Sequence, residues 1–347
     1  MADLRIVITN PLPAEEVELL ARLEPRLEVV YPADLLGPVD ILVGHNDPGF
    51  RRTPEQQAEY ERLVDSADAL FGVPEQSGRS LARTVAANPR LRWVHTIPAG
   101  GGQQVKAARL APADLERIVF TTSAGVHAEV LAEFAVFGLL AGAHHLGRLR
   151  EEQSRHVWGD YRVVGSVRAS TVLVVGLGSI GRATAAKLAA LGARVVGIHR
   201  RDVDVPSVAE VRPVEQLAAA AAEADAIVMA LPGTEQTERM LGADVFAAAR
   251  PGITVVNVGR GTTIDEPALV EALRSGQVGT AVLDVAAIEP LPADSPLWDL
   301  PGVLISPHTA AVAGNEARGV TELVAENARR LLDGETLRNV VDTVEFY

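Results

Sequence analysis

The sequence predicts an α/β protein made of two doubly wound parallel-sheet domains, and three observations carry that expectation. The chain has 347 residues, too many for one ordinary hydrophobic core and suited to two. Short apolar runs alternate with helically patterned stretches, and the series occurs twice; such alternation implies parallel strands joined by helices. The second series opens on a strand, a glycine-rich turn and a helix, in that order.

In the first series, "LRIVIT" from Leu4 reads as a strand and "AEEVELLARL" from Ala14 has helical spacing. "LEVVY", "DILVG" (Asp40–Gly44), "ADALFGV" and "LRWVHTI" read as further strands. A long helical stretch runs from about Val126 to His145. The second series then brings the strands "STVLVVGLG", "ARVVGIH", "AIVMAL", "TVVNVG", "TAVLDV" and "VLISP". Between the second and third of these, the alanine-rich Gln216–Ala226 reads as a helix, alanine being the best helix former. The chain closes on the helical "EARGVTELVAENARRLLDG".

Composition narrows the function. With 48% apolar and 22% charged residues the chain is globular. A net charge of −13 argues against nucleic acid and acidic membranes as partners. No cysteine is present, which removes disulfides and thiolate chemistry, and no His-x-x-x-His or paired-carboxylate spacing predicts a metal. The N-terminus lacks the basic start and apolar run of a signal peptide, and "VLAEFAVFGLLAGA" is too short to span a bilayer. A cytoplasmic protein is the expectation.

Gly176, Gly178 and Gly181 form G-x-G-x-x-G after an apolar strand and before a helix, the setting in which this motif binds a dinucleotide. Gly176 permits the tight turn, Gly178 lets the backbone approach a pyrophosphate, and Gly181 allows the helix to pack closely. Ser179 and Ile180 then offer helix N-terminal N–H groups to the phosphates. About 20 residues on, an NAD site wants a carboxylate for the ribose hydroxyls. This chain has His199, Arg200 and Arg201. A guanidinium can bind a 2′-phosphate that a carboxylate would repel, so the expected cofactor is NADP(H), with NAD(H) possible. If the arginines face solvent instead, Asp202 or Asp204 could reach the ribose.

Three later segments end predicted strands: "VVNVGRGTTIDEPALVEALRSGQV", "AVLDVAAIEPLPADSPLWDLPGV" and "LISPHTAAV". With the glycine loop they closely resemble the D-isomer-specific 2-hydroxyacid dehydrogenase family, from about Leu91 to the C-terminus. Residues 1–90 match in pattern only. The resemblance implies a Rossmann dinucleotide-binding domain over 123–311, inserted in a flavodoxin-like substrate domain of 1–122 plus 312–347. It makes Arg260 of the "GRG" turn the ligand of the substrate's carboxylate and carbonyl. Glu289 before "PLP" orients the catalytic histidine, and His308 of "SPH" is the general acid/base. Histidine titrates near neutrality and can protonate a carbonyl oxygen as hydride arrives. A neighbouring carboxylate favours the charged ring and fixes it. Arginine's planar fork matches a carboxylate. The resemblance also implies that Leu231, Pro232, Thr237, Val258, Gly259 and Asp284 line the cofactor.

In the first domain the family usually has a "GAGVD"-like loop whose N–H groups hold the substrate carboxylate. By position these are Ala99, Gly100 and Gly101 in "HTIPAGGGQQV", which departs from the pattern at Pro98 and Gly101–Gly102. Family members usually dimerise through the cofactor domain, so a homodimer is implied. Thr309 stands where the family's formate dehydrogenases have glutamine, which argues against formate. Nothing after Tyr347 corresponds to the regulatory domain of long phosphoglycerate dehydrogenases. The expected activity is therefore an NADP(H)-preferring reductase of a small 2-oxo acid such as glyoxylate or hydroxypyruvate. The alternatives are an NAD-dependent D-3-phosphoglycerate or D-lactate-type dehydrogenase and, in another class, a dinucleotide-sensing corepressor-like protein.

Overall fold

The structure is a computed structural model that describes residues 3–37, 50–312, 314 and 316–346. The run Asp40–Gly44, expected as a strand, lies outside the described residues. The chain divides into two units, Met1–His127 with Val312–Tyr347, and Ala128–Ala311.

The first unit holds a five-stranded parallel sheet: β1 (Leu4–Ile8), β2 (Leu27–Val30), β3 (Ala69–Phe71), β4 (Trp93–Thr96) and β5 (Val119–Thr122), in the order β2-β1-β3-β4-β5. That is the flavodoxin-like order. Strand alternation sends Val7, Leu70, Val94 and Phe120 to one face and Ile6, Ile8, Ala69, Phe71 and Trp93 to the other. The strands are linked through α1 (Ala14–Leu23), α2 (Pro54–Asp65), α3 (Gly78–Ala87), α4 (Gly102–Ala108) and α5 (Pro112–Arg117); the last helix, α12 (Glu316–Leu332), packs on α1 and contributes Val320, Val324 and Ala328 to the second of these faces. β5 is a strand that the apolar pattern did not announce.

His95 of β4 is fully buried between Thr121 and Ser123, with Nδ1 2.9 Å from Thr121 Oγ1 and Nε2 3.1 Å from Ser123 Oγ. Burial pushes its pKa down to about 3, so the ring is neutral and structural. A second buried histidine, His127, has Nε2 3.5 Å from Glu316 Oε1. Burial drives the Glu316 pKa up to about 7 and His127 down. The unfolded chain ionises Glu316 near the ordinary 4.5, so stability falls as pH rises from there to about 7 and stays reduced above it. Glu316→Gln should therefore raise stability by about 1–3 kcal/mol at pH 8 and leave it unchanged at pH 4. Urea unfolding of both proteins at the two pH values tests this; equal gains at both would reject it.

The second unit carries a seven-stranded parallel sheet: β6 (Thr171–Val175), β7 (Arg194–Ile198), β8 (Glu210–Arg212), β9 (Ala226–Met229), β10 (Ile253–Asn257), β11 (Val278–Leu283) and β12 (Val303–Ile305). The order is β12-β11-β10-β9-β6-β7-β8, the Rossmann order with one strand added beyond its sixth. The order reverses between β6 and β9, and ligands of open α/β sheets bind at the C-terminal strand ends beside such a reversal. α6 (Ala128–Ala143) and α8 (Ser179–Ala190) cover one face over Val172, Val174, Val228 and Val256. α9 (Leu217–Ala221), α10 (Ala243–Ala248) and α11 (Glu266–Arg274) cover the other over Leu173, Val175, Ile227 and Val255.

Two expectations are corrected here. The alanine-rich helix ends at Ala221 rather than Ala226, because Ala226 begins β9 and sheet pairing overrides alanine's helix preference. β8, only three residues long and polar at both ends, gives no apolar run and was not anticipated. Among the described residues no single helix is long and apolar enough to cross a membrane; α6 with α7 (Leu146–Ser154) passes that test only as a pair bent by 64°.

Candidate active site and dinucleotide loop

The glycine loop follows β6 directly. Gly176 has φ +99°, a conformation that a side chain disfavours. A Cβ on Gly181 would sit 1.8 Å from the Gly176 carbonyl oxygen, so only glycine lets α8 start this close to β6. A Cβ on Gly178 would meet nothing within 4 Å, leaving open space above the start of α8. No side chain caps this helix at Gly178, so the N–H groups of Ser179, Ile180 and Gly181 and the positive dipole end are available to an anion. The loop fits the pyrophosphate of a dinucleotide.

At the end of β7, His199 is half-buried and Arg200 and Arg201 are exposed. His199 Nδ1 accepts the N–H of Arg201 at 3.1 Å, so the ring closes its own turn. After β9, Thr237 is buried; its hydroxyl accepts from the Thr234 N–H at 2.9 Å and donates to the Pro232 carbonyl at 2.6 Å. These bonds shape the loop that carries Leu231 and Pro232. Val258 and Gly259 leave β10, Val258 with its side chain buried and its N–H on the Met229 carbonyl.

Three further strand ends bring Arg260, Glu289 and His308 into one neighbourhood. The "GRG" turn is clamped by Asn257, a fully buried side chain at the end of β10. Its Oδ1 accepts the Gly259 N–H at 3.0 Å, and its Nδ2 donates to the Arg260 carbonyl at 3.0 Å. Thr263 Oγ1 donates to the same carbonyl at 2.6 Å. A Cβ on Gly261 would lie 1.9 Å from the Ala286 carbonyl carbon, so glycine there allows the turn to abut the segment that carries Glu289. Arg260 Nη1 donates to the Gly259 carbonyl at 2.8 Å, and among the described residues its other N–H groups meet no protein acceptor. Burial lowers the Arg260 pKa, and Glu289 and Asp284 act against that shift. Arg260 is thus a cation held on a short leash with most of its fork unused.

Glu289 accepts the Ala286 N–H on Oε1 at 3.0 Å and faces His308 Nδ1 with Oε2 at 2.7 Å. Glu266 accepts the neighbouring Ala287 N–H at 2.6 Å. His308 adopts φ +57°, in the left-handed region where histidine is over-represented. Its N–H donates to the Asp284 carbonyl at 2.8 Å, and the buried Asp284 side chain accepts from the N–H groups of Thr309 and Ala310 at 3.0 and 2.9 Å. Asp284, expected at the cofactor, is seen here underpinning the histidine turn. The His308 and Glu289 side chains are 45% and 38% exposed. An ion pair so open to water adds at most about 1 kcal/mol of stability, so its use is to aim the ring. With Nδ1 held, Nε2 is the end left to exchange a proton.

In the first unit, Ala99 is exposed, Gly100 half-buried and Gly101 buried after β4. Gly101 donates its N–H to the Pro98 carbonyl at 2.9 Å, and a Cβ there would strike Thr96 Oγ1. Its N–H is thus already in use, which narrows the expected donors to Ala99 and Gly100.

Residue-by-residue reading of the sequence overlooked Asn257 and Glu266. The signal for Asn257 was present, since an amide that both donates and accepts stood at a strand end two residues before a glycine.

Comparison with known proteins identifies the family. Residues 136–310 match the family described as "D-isomer specific 2-hydroxyacid dehydrogenase, NAD binding domain". D-3-phosphoglycerate dehydrogenase from Mycobacterium leprae is 35% identical over 299 residues, 81% of this chain and 54% of that protein. The chain thus spans about half the length of that relative. Glyoxylate reductase from Korarchaeum cryptofilum is 32% identical over 298 residues, 83% of this chain and 86% of that protein. A crystal structure of an NADPH-dependent glyoxylate/hydroxypyruvate reductase from Sinorhizobium meliloti, in complex with NADP and sulfate, superposes with TM-score 0.77 at 25% identity, covering 99% of this chain and all of that one. On the matched domain and on sequence similarity over more than four-fifths of the chain, the protein belongs to the D-isomer specific 2-hydroxyacid dehydrogenases.

Proposed function

We propose that the protein is an NADP(H)-preferring reductase that converts a small 2-oxo acid, glyoxylate or hydroxypyruvate, to the D-2-hydroxy acid. The observation that carries this reading is the His308–Glu289 contact of 2.7 Å beside the half-buried Arg260. The glyoxylate reductase match over most of both chains supports the substrate class more directly than the phosphoglycerate dehydrogenase match, which leaves nearly half of that protein unpaired.

The glycine loop, Ser179, Ile180 and the loop after β9 would hold the dinucleotide, which when bound supplies hydride to C2 of the acid. Arg260 binds the substrate carboxylate through its unused N–H groups and draws electron density from the carbonyl. Ala99 and Gly100 stay the proposed backbone donors to a substrate carboxylate. His308 delivers the Nε2 proton to the carbonyl oxygen as the C=O π bond becomes an alcohol O–H, and Glu289 stabilises the ring's charge and orientation before transfer. Solvent then reprotonates the imidazole. Oxidation of the hydroxy acid runs these steps backwards.

Arg200 and Arg201 are the proposed 2′-phosphate ligands. Initial rates with glyoxylate as acceptor should favour NADPH over NADH by about ten- to a hundredfold in kcat/KM, the worth of one or two charge-assisted hydrogen bonds. An NADH preference would overturn this assignment. 3-Phosphohydroxypyruvate should turn over more slowly than glyoxylate.

A cytoplasmic homodimer joined through the second unit completes the reading. Residues 155–166 expose Trp158, Tyr161 and Val163 almost fully, and Phe137 and Leu140 of α6 are also exposed. Apolar surface grouped in this way marks an interface. Trp158→Ser with Tyr161→Ser should shift the sedimentation coefficient from dimer to monomer; an unchanged coefficient would place the interface elsewhere.

A further inference from the structure

The loop that follows β7 is fastened by a residue of the glycine-loop helix. Arg182, in the first turn of α8, donates Nε to the Leu177 carbonyl at 2.9 Å and Nη1 to the Asp204 carbonyl at 3.4 Å. Leu177 belongs to the glycine loop, and its buried side chain tucks beside Gly197 of β7, where a Cβ would lie 2.6 Å from Leu177 Cδ1. Asp204 lies at the far end of the segment that begins His199-Arg200-Arg201. At its near end the same segment is closed by the His199 ring on the Arg201 N–H. A short polar loop, exposed along most of its length, is thus tied at both ends.

We infer that Arg182 is a positioning residue for cofactor selection. It staples the pyrophosphate loop to the loop that carries Arg200 and Arg201, and so sets the distance between the pyrophosphate and the 2′-phosphate pocket. This inference rests on the NADP(H) reading above. Its physical basis is the guanidinium fork, which spans two carbonyls at once from a planar, pre-organised group. A lysine carries the same charge but is a point donor on a flexible stem, and cannot hold both. If Arg182 acted instead as a direct charge partner of the phosphate, lysine would largely replace it.

The test is calorimetric titration of the wild-type protein, Arg182→Gln and Arg182→Lys with adenosine 2′,5′-bisphosphate and with adenosine 5′-monophosphate, alongside KM and kcat for NADPH and NADH. Melting curves check that the variants are folded; Arg182 is exposed. The wild type should bind the bisphosphate at least about tenfold more tightly than the monophosphate. Both variants should lose most of that ratio, about fivefold or more, with monophosphate affinity within about twofold and kcat preserved. A ratio retained in Arg182→Gln, or restored in Arg182→Lys, overturns the inference and leaves the NADP(H) reading intact. Equal weakening of both nucleotides also overturns it, because Arg182 would then serve the pyrophosphate loop alone. A wild type that does not distinguish the two nucleotides removes the NADP(H) reading itself, and this inference with it.

Discussion

His308→Ala should lower kcat for 2-oxo acid reduction by about a thousandfold, within the range for loss of a positioned general acid, while dinucleotide affinity measured by titration should stay within about twofold of wild type. The ring is held at Nδ1 by Glu289 and its backbone by Asp284 and Ser306, which leaves Nε2 as the ring nitrogen for proton exchange. Glu289→Gln should cost less, about ten- to a hundredfold. The amide oxygen can still accept the Nδ1–H, but the negative charge that stabilises the imidazolium is gone. Rates for the two variants, measured at saturating cofactor, rank these roles. A kcat for His308→Ala within tenfold of wild type would place the proton donor elsewhere, and a loss in Glu289→Gln equal to that in His308→Ala would mean that the carboxylate does more than hold the ring.

Arg260→Lys should show the second large effect, a fall in kcat/KM of about a hundred- to a thousandfold, because a point ammonium cannot match a carboxylate bidentately and also polarise the carbonyl. The loss should appear first in KM for the 2-oxo acid, with cofactor KM little changed. Asn257→Ala provides the comparison. It leaves the guanidinium in place but removes the amide that clamps the Gly259 N–H and the Arg260 carbonyl. That variant should lose about 1–3 kcal/mol of stability for the unsatisfied buried groups and show an intermediate rise in KM. Steady-state kinetics and thermal melts on the two proteins separate charge placement from turn rigidity. Wild-type KM values in Arg260→Lys would remove Arg260 from the substrate.

Features that are local in the chain were legible in the amino-acid order. The near-continuous apolar runs at Leu4–Ile8 and Thr171–Val175 announce buried strands because a parallel sheet covered by helices buries both faces of each strand. The spacing of Gly176, Gly178 and Gly181 announces the strand-turn-helix because each glycine answers a steric demand within that same turn. Arg260, Glu289 and His308 were legible as candidates, since each closely follows an apolar strand run and matches a family motif. Features that join segments distant in sequence emerged with the assembled sheets. β8 forms because β7 offers it an edge to pair with, not because "EVR" is a strand-like run. Gly261 is required because Ala286 presses against it from the next strand end. Asp284 sits beneath the His308 turn because β11 ends beside β12. The Gly101 N–H is already taken by Pro98, a fact of loop closure that the run of glycines conceals. Arg182 reaches Asp204 only because α8 and the end of β7 stand side by side. Local steric rules are written into neighbouring residues, whereas the contacts that aim a functional side chain join different strand ends, and those meet only when the sheet is assembled.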